Sequence, residues 1–243
     1  MLRPAAMMRA GLFVAEGRLV VRRLLASPRF KTRSVLATPV AFDAVRDIIP
    51  VSLPCYIVDQ STMDSIVGFN IHRGCLALAE RPDIPALTQI DLDTVSHVVV
   101  LEGVNNPDNL GGIFRSAAAF GVELVVLGPG CADPFYRKAI RTSMAATLAV
   151  PLASAGAWPA AIDTLRARGL RVLAFTPAAD AMPLEKLSRA CQRLALVFGT
   201  ESTGLTAGAL ATADERVRIR MTDGVDSLNV TVAASIAMHD CFV

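Results

Sequence analysis

The sequence is short of the residues from which metal centres and disulfide frameworks are built. Among 243 residues there are three histidines (His72, His97, His239) and five cysteines (Cys55, Cys75, Cys131, Cys191, Cys241). The cysteines are scattered, odd in number and never spaced as Cys-x-x-Cys. That argues against a zinc site or a disulfide scaffold and for a reducing, cytoplasmic setting. The histidines form no cluster in sequence, so no metal is expected. No apolar run reaches the length of a membrane span. Residues 1–17 hold Arg3 and Arg9 but no clean apolar block with a cleavage site, so no signal peptide is expected. Two phosphate-binding loops are also missing: there is no Gly-x-Gly-x-x-Gly and no Gly-Lys-Ser/Thr. A nucleotide-dependent dehydrogenase on a doubly wound sheet is thereby disfavoured, since it would also need an acidic residue placed for a ribose hydroxyl.

Apolar content is high. Hydrophobic residues make up 53% and charged residues 19%, enough for a sizeable core in one large or two modest domains. The net charge of +2 is unevenly spread: residues 1–90 carry 11 Lys+Arg and 7 Asp+Glu, the remainder 13 and 15. A mildly basic leading part suits a polyanionic partner, although a solvated surface explains the same excess.

Hydrophobic periodicity predicts alternating elements throughout. In the first part these are helix 16–26 (with Leu19, Val20 and Leu24 on one side), strand 34–38, helix 40–48, strand 53–59, helix 61–66 and strand 74–80. Its basic groups cluster at Arg22, Arg23, Arg29, Lys31, Arg33 and Arg73. This reads as a small α/β domain over residues 1–80. Residues 81–94, with two prolines and little periodicity, read as a linker. A second α/β region over 95–243 then follows. Strand 97–101 is a continuous apolar run of the kind buried on both faces of a parallel sheet. Helix 109–120, strand 122–127, a basic helix at 134–140, helix 157–168, strand 170–175, a short helix at 184–190 and strand 194–198 come after it. The chain closes with a strand in which Val217, Ile219 and Met221 alternate with arginines, a turn at 222–224, and a helix from Leu228 to about Met238 with Ser227 in the N-cap position. The fold class is α/β, an open, mostly parallel sheet with ligand loops at the strand carboxyl ends.

Three stretches stand out at such ends. Asn105 to Arg115 follows a strand and opens a helix. Gly111 and Gly112 within it allow close approach of another backbone or a ligand, and Arg115 lies nearly two turns beyond Asn109. Alone, Arg115 reads better as a surface salt bridge. Phe198-Gly199-Thr200-Glu201-Ser202-Thr203-Gly204-Leu205 ends a buried strand, and Glu201 is either a loop carboxylate facing a ligand or a cap for the next short helix. In the last stretch Asn229 is a poor helix former in a first turn; its amide either caps the helix or faces a ligand.

Taken together, Asn-x-x-x-x-x-Arg, Phe-Gly-x-Glu-x-x-Gly-Leu and Ile-x-Met-x-x-x-x-x-Ser-Leu-Asn-Val resemble the motifs of the SpoU class of RNA ribose 2′-O-methyltransferases, in the SPOUT superfamily. The match runs in order over about residues 97–240. Asp133 to Met144 is similar to a further family segment, and residues 1–90 look like the small ribosomal-protein-like substrate-binding domain that often precedes the catalytic one. The resemblance implies a trefoil-knotted catalytic domain threaded by the last helix, an exception to the rule against threaded chains. It implies S-adenosylmethionine held around Gly199, Thr200, Ile219, Met221 and Leu228, a homodimer with the active site at its interface, and an RNA substrate, ribosomal or transfer. The family's catalytic arginine maps onto Arg115 with Asn109 as its motif partner, the acidic residue onto Glu201, and the last serine and asparagine onto Ser227 and Asn229. RNA contacts are expected at Arg22, Arg23, Lys31, Arg33, Arg137 and Arg141. One departure is Ala145, where relatives often carry glycine after Ser-Met. The alternative is an RNA-binding protein that kept the fold without catalysis.

Overall fold

The computed structural model describes residues 4–67, 74–188 and 192–243. His72, Arg73, Cys191 and the end of the expected 184–190 helix lie outside the described residues. In chain order the first elements are α1 (Pro4–Arg9), β1 (Leu12–Glu16), α2 (Arg18–Ala26), β2 (Thr32–Ala37), α3 (Pro39–Asp43), β3 (Cys55–Ile57), α4 (Gln60–Val67) and β4 (Cys75–Glu80). Next come β5 (His97–Leu101), α5 (Pro107–Ala119), β6 (Leu124–Leu127), α6 (Arg137–Thr142), α7 (Ala146–Ala149), β7 (Leu152–Ser154), α8 (Ala160–Ala167), β8 (Arg171–Phe175), β9 (Met182–Pro183), β10 (Leu194–Phe198), α9 (Ala207–Thr212), β11 (Glu215–Arg218) and α10 (Val230–Phe242). Short 3₁₀ turns fill several connections, one of them at Leu184–Lys186 where a short helix was expected.

The chain forms two compact units. One is Met1–Asp83 together with Asp133–Ala149; the other is Ile84–Ala132 with Val150–Val243. Two expectations are corrected by this division. Residues 84–94 are not a linker, because Leu87 and Leu92 are buried in the core of the second unit. The later part is not continuous either, because residues 133–149 pack with the first unit.

The first unit is a four-stranded sheet in the order β1-β4-β2-β3, with β4 antiparallel to both neighbours and β2 parallel to β3. Strand β1 was not anticipated: no element was expected over residues 12–15, and Glu16, read as the start of the helix, belongs to the strand. Gly17, with φ of 99°, separates the two elements. Helix α2 buries Val20, Val21 and Leu24 and leaves Leu19 at the surface. The inserted segment is held by Phe135, whose ring lies 5.5 Å from Phe13 and 6.2 Å from Phe30. It is also held by Arg137, which donates to the buried carboxylate of Glu16 at 3.1 Å. Helix α6 ends in a Schellman motif: Ala145 N–H donates to Ile140 O (2.9 Å) and Met144 N–H to Arg141 O (3.1 Å). That turn needs left-handed backbone, and Met144 (φ 53°) and Ala145 (φ 69°) supply it without glycine.

The second unit is a seven-stranded sheet, β7-β6-β5-β10-β8-β11-β9, parallel at every pairing. Strand β10 is fully apolar and buried, and β5 is so from Val98 onward, as a sheet covered on both faces requires. Each Val, Leu or Phe withdrawn from water contributes roughly 1.5–3 kcal/mol. Contacts at both ends of its strands tie this core to its surroundings. The buried Glu102, just after β5, accepts from Trp158 Nε1 (2.5 Å) and from Thr206 N–H (2.9 Å) at the start of α9. At the far end of α10, Phe242 stacks on His97 with centroids 4.4 Å apart, and His239 meets Phe120 edge-on at 5.5 Å. Strand β11 pairs only over residues 215–218, so Ile219 and Met221 fall in the loop beyond it rather than in the strand.

Candidate functional site

Three segments reach the carboxyl edge of the parallel sheet: the connection from β5 to α5, the loop after β10, and the loop from β11 to α10. The first two touch. Gly103, with φ of 68°, faces the Thr200 methyl so closely that a Cβ would overlap it. The loop after β10 closes on itself, with Thr200 N–H donating to Gly204 O (3.1 Å) and Gly204 N–H to Thr200 O (3.0 Å). A Cβ on Gly199 would run into the backbone of Gly204 and Leu205, so this closure requires glycine there.

Helix α5 begins at Pro107 with Asn106 as its cap, two residues before the expected start. Asn109 therefore sits inside the first turn and projects from a fixed helix. Helix α10 begins at Val230, and its cap is Asn229, not Ser227; Asn229 Oδ1 accepts from Thr231 N–H at 2.9 Å. A backbone N–H can only donate, so this bond fixes which way the Asn229 amide faces. Its Nδ2 must then point the other way, and there it donates to Glu201 Oε1 (2.7 Å) and Asn109 Oδ1 (3.1 Å). Asn109 Nδ2 donates to the same Glu201 oxygen at 2.5 Å. Of the two readings left open for Asn229, the cap is realised by one end of its amide, and the other end meets Glu201 and Asn109. Glu201 does not cap α9; Thr206 does. Glu201 instead gathers two amide donors from residues 92 and 28 positions away.

Glu201 also lines a cavity of about 480 Å³, within the range typical of small-molecule sites. Gly199, Thr200, Ile219, Met221, Ser227 and Leu228 line it as well, so the expected cofactor residues converge on one space. Sequence reasoning missed Phe175, Thr176 and Pro177, which enter from the end of β8, and Asp226. The rule that ligands sit outside the carboxyl ends of parallel strands could have found the β8 residues. Asn109 and Asn229 do not line the cavity; they join it through Glu201. Arg115 is exposed on α5 and does not line the cavity either.

The expected RNA-contacting residues lie in the first unit and hold partners there. Arg22 pairs with Asp47 at 2.5 and 2.8 Å. Arg23 donates to Met144 O at 2.5 Å. Lys31 and Arg33 meet Glu80 at 3.0 and 2.6 Å. Arg137 and Arg141 lie 3.1 and 3.8 Å from Glu16. The carboxyls answer: Lys31, then Arg33, lowers the Glu80 pKa, and Arg22 lowers that of Asp47. Among the described residues no group of His, Cys, Asp and Glu could hold a metal, and no helix is long and apolar enough to cross a membrane.

A parallel sheet with a cavity and a polar cluster at its carboxyl edge defines a ligand-binding α/β protein. Residues 96–239 match the model of the SpoU rRNA Methylase family, and the chain belongs to that family. It is 44% identical over 232 residues to the uncharacterized tRNA/rRNA methyltransferase Mb0905 of Mycobacterium bovis, covering 94% of this chain and 80% of that protein. It is 26% identical to the Bacillus subtilis 23S rRNA (guanosine(2553)-2′-O)-methyltransferase RlmP, over 93% of this chain and 87% of that one. Among solved structures, the SpoU methyltransferase AviRb from Streptomyces viridochromogenes, in complex with AdoMet, shares the fold with a TM-score of 0.85 at 20% identity, over 99% of this chain and 93% of that one.

Proposed function

We propose that this chain transfers the methyl group of S-adenosylmethionine to a ribose 2′-hydroxyl of RNA, ribosomal or transfer. The observation that carries the reading is the Asn109–Glu201–Asn229 cluster beside the cavity. The methyl donor fits the space: apolar Leu205, Ile219, Met221 and Leu228 suit an adenine, and Glu201 and Asp226 suit a positively charged donor. The relatives' 2′-O activity and the AdoMet-bound neighbour support the same choice. When bound, the donor supplies an electrophilic methyl, so no metal is needed.

The chain's part is positioning and charge. Asn109, Asn229 and Ser227 orient the ribose, and Glu201 holds both amides in place. Arg115 pairs with an RNA phosphate and with the negative charge that develops on the attacking oxygen. A guanidinium stays protonated, so the phosphate or a neighbour takes the proton. Arg115 does not line the cavity of its own chain. In the proposed reading the enzyme is a homodimer, and Arg115 serves the second copy's cavity. Support comes from α10, which leaves Val232 (46%) and Ile236 (39%) exposed one turn apart. The last helix is read as the threaded piece of a trefoil knot, the first unit as the RNA-binding part, and the cytoplasm as the place of action. RNA rather than DNA follows from the need for a 2′-hydroxyl.

The test is transfer of labelled methyl from S-adenosylmethionine into total RNA, followed by alkaline hydrolysis. Label in alkali-resistant dinucleotides is the expected result. Label on a base, or binding of RNA without transfer, would overturn the reading and favour a non-catalytic binder in the second case.

A further inference from the structure

We infer that Thr231 is a positioning residue for the reaction, a reading that rests on the proposed methyl transfer. Three of its groups each set one element of the cluster. Its backbone N–H orients the Asn229 amide (2.9 Å). Its hydroxyl lies 3.2 Å from Asn109 O and 3.4 Å from Asn109 Oδ1. Having one hydrogen to share between two acceptors, it draws the Asn109 carboxamide toward the Asn109 backbone and leaves Nδ2 facing Glu201. Its methyl faces Gly112 on α5, where a Cβ would come within 2.6 Å of it. One turn on, Ser235 donates to Thr231 O (2.7 Å) and shares a hydrogen bond with Ser116 (2.7 Å), so α10 and α5 are buttoned twice. Thr231 does not line the cavity. Its effect on chemistry passes through Asn109 and Asn229.

The experiment compares Thr231→Val and Thr231→Ser in the full chain. Valine keeps a methyl against Gly112 and removes only the hydroxyl; serine does the reverse. Misplacement of an orienting group by about 1 Å costs on the order of 100-fold. Thr231→Val should lower kcat roughly 10- to 100-fold, with S-adenosylhomocysteine affinity within about twofold of the parent. Thr231→Ser should recover most of the turnover. Turnover in the valine variant within twofold of the parent would overturn the assignment, as would equal loss of turnover and affinity. A parent chain that methylates no RNA would sink the function but not this role. The side-chain amide resonances of Asn109 then decide it: protected from exchange with water in the parent and the serine variant, fast-exchanging and shifted in the valine variant. Unchanged amide signals in Thr231→Val overturn it.

Discussion

Gly112→Ala separates the geometry of the cluster from the stability of the fold. A methyl at this position would sit 2.6 Å from Thr231 Cγ2 and 3.2 Å from its Oγ1. Carbon atoms rest at about 3.5–4.0 Å, so α5 and α10 must part by roughly 1 Å at this level. Overpacking of this kind costs about 1–3 kcal/mol. Replacing glycine by alanine inside a helix returns about 1 kcal/mol. The net change is therefore between nothing and about 2 kcal/mol, and the melting temperature should fall by no more than roughly 8 °C at about 2–4 °C per kcal/mol. The cluster has no such offset. Asn109 rides on α5 and Asn229 and Thr231 on α10, so a parting of about 1 Å stretches every bond between them and should cut turnover on the order of 100-fold. Differential scanning calorimetry and a methyl-transfer assay on one preparation read both quantities. Combining Gly112→Ala with Thr231→Ser removes Cγ2, relieves the overlap and should restore most of the lost rate. Normal turnover in the single variant, or no recovery in the double, would refute the reasoning.

Other expectations follow from single contacts. Arg115→Lys keeps the charge and loses the planar fork; kcat should fall at least tenfold with unchanged S-adenosylhomocysteine affinity, and near-normal transfer would show that the fork is not used. Asn229→Ala removes a helix cap worth about 1 kcal/mol, a small change in melting temperature, yet it should abolish most transfer. Asn229→Asp keeps the cap acceptor but sets a second carboxylate 2.7 Å from Glu201, so its rate loss should be comparable and its melting temperature closer to the parent's. Burial pushes the Cys75 thiol up to about 12. An acid whose folded pKa is raised stabilises the fold below its unfolded value, near 9, and that contribution is lost as pH rises toward 12. Alkaline unfolding should therefore have a steep limb above about pH 9 that flattens in Cys75→Ala, and native Cys75 should resist iodoacetamide at pH 8.

Much of the sheet was legible because its strands are apolar runs. The strand at 194–198 is found at the expected residues, and the 97–101 run likewise. Strand β1 was hidden because only Gly17 separates it from an apolar helix. The three-residue β7 is too short to show a period. The start of α10 was misplaced by two residues because Ser227 and Asn229 are both good caps, and the choice between them rests on where Asn229 points its other atoms. The convergence of Asn109, Glu201 and Asn229 spans 120 positions and was reached by motif resemblance, not by pattern. The basic residues show the limit most clearly. Charge along the chain says nothing of the carboxylates that Arg22, Lys31 and Arg137 meet after folding, 25 to 121 positions away.

The detour of residues 133–149 into the first unit governs how this protein can be cut and recombined. Deleting the first 83 residues would strip Phe135 of its aromatic neighbours Phe13 and Phe30 and leave Arg137 and Arg141 without Glu16. The remaining piece would carry a sticky, half-built flap in its middle and should precipitate. Grafting the leading part of a relative onto this chain needs three crossovers, one near residue 83 and one at each end of 133–149. A single splice would pair a foreign sheet with the wrong flap.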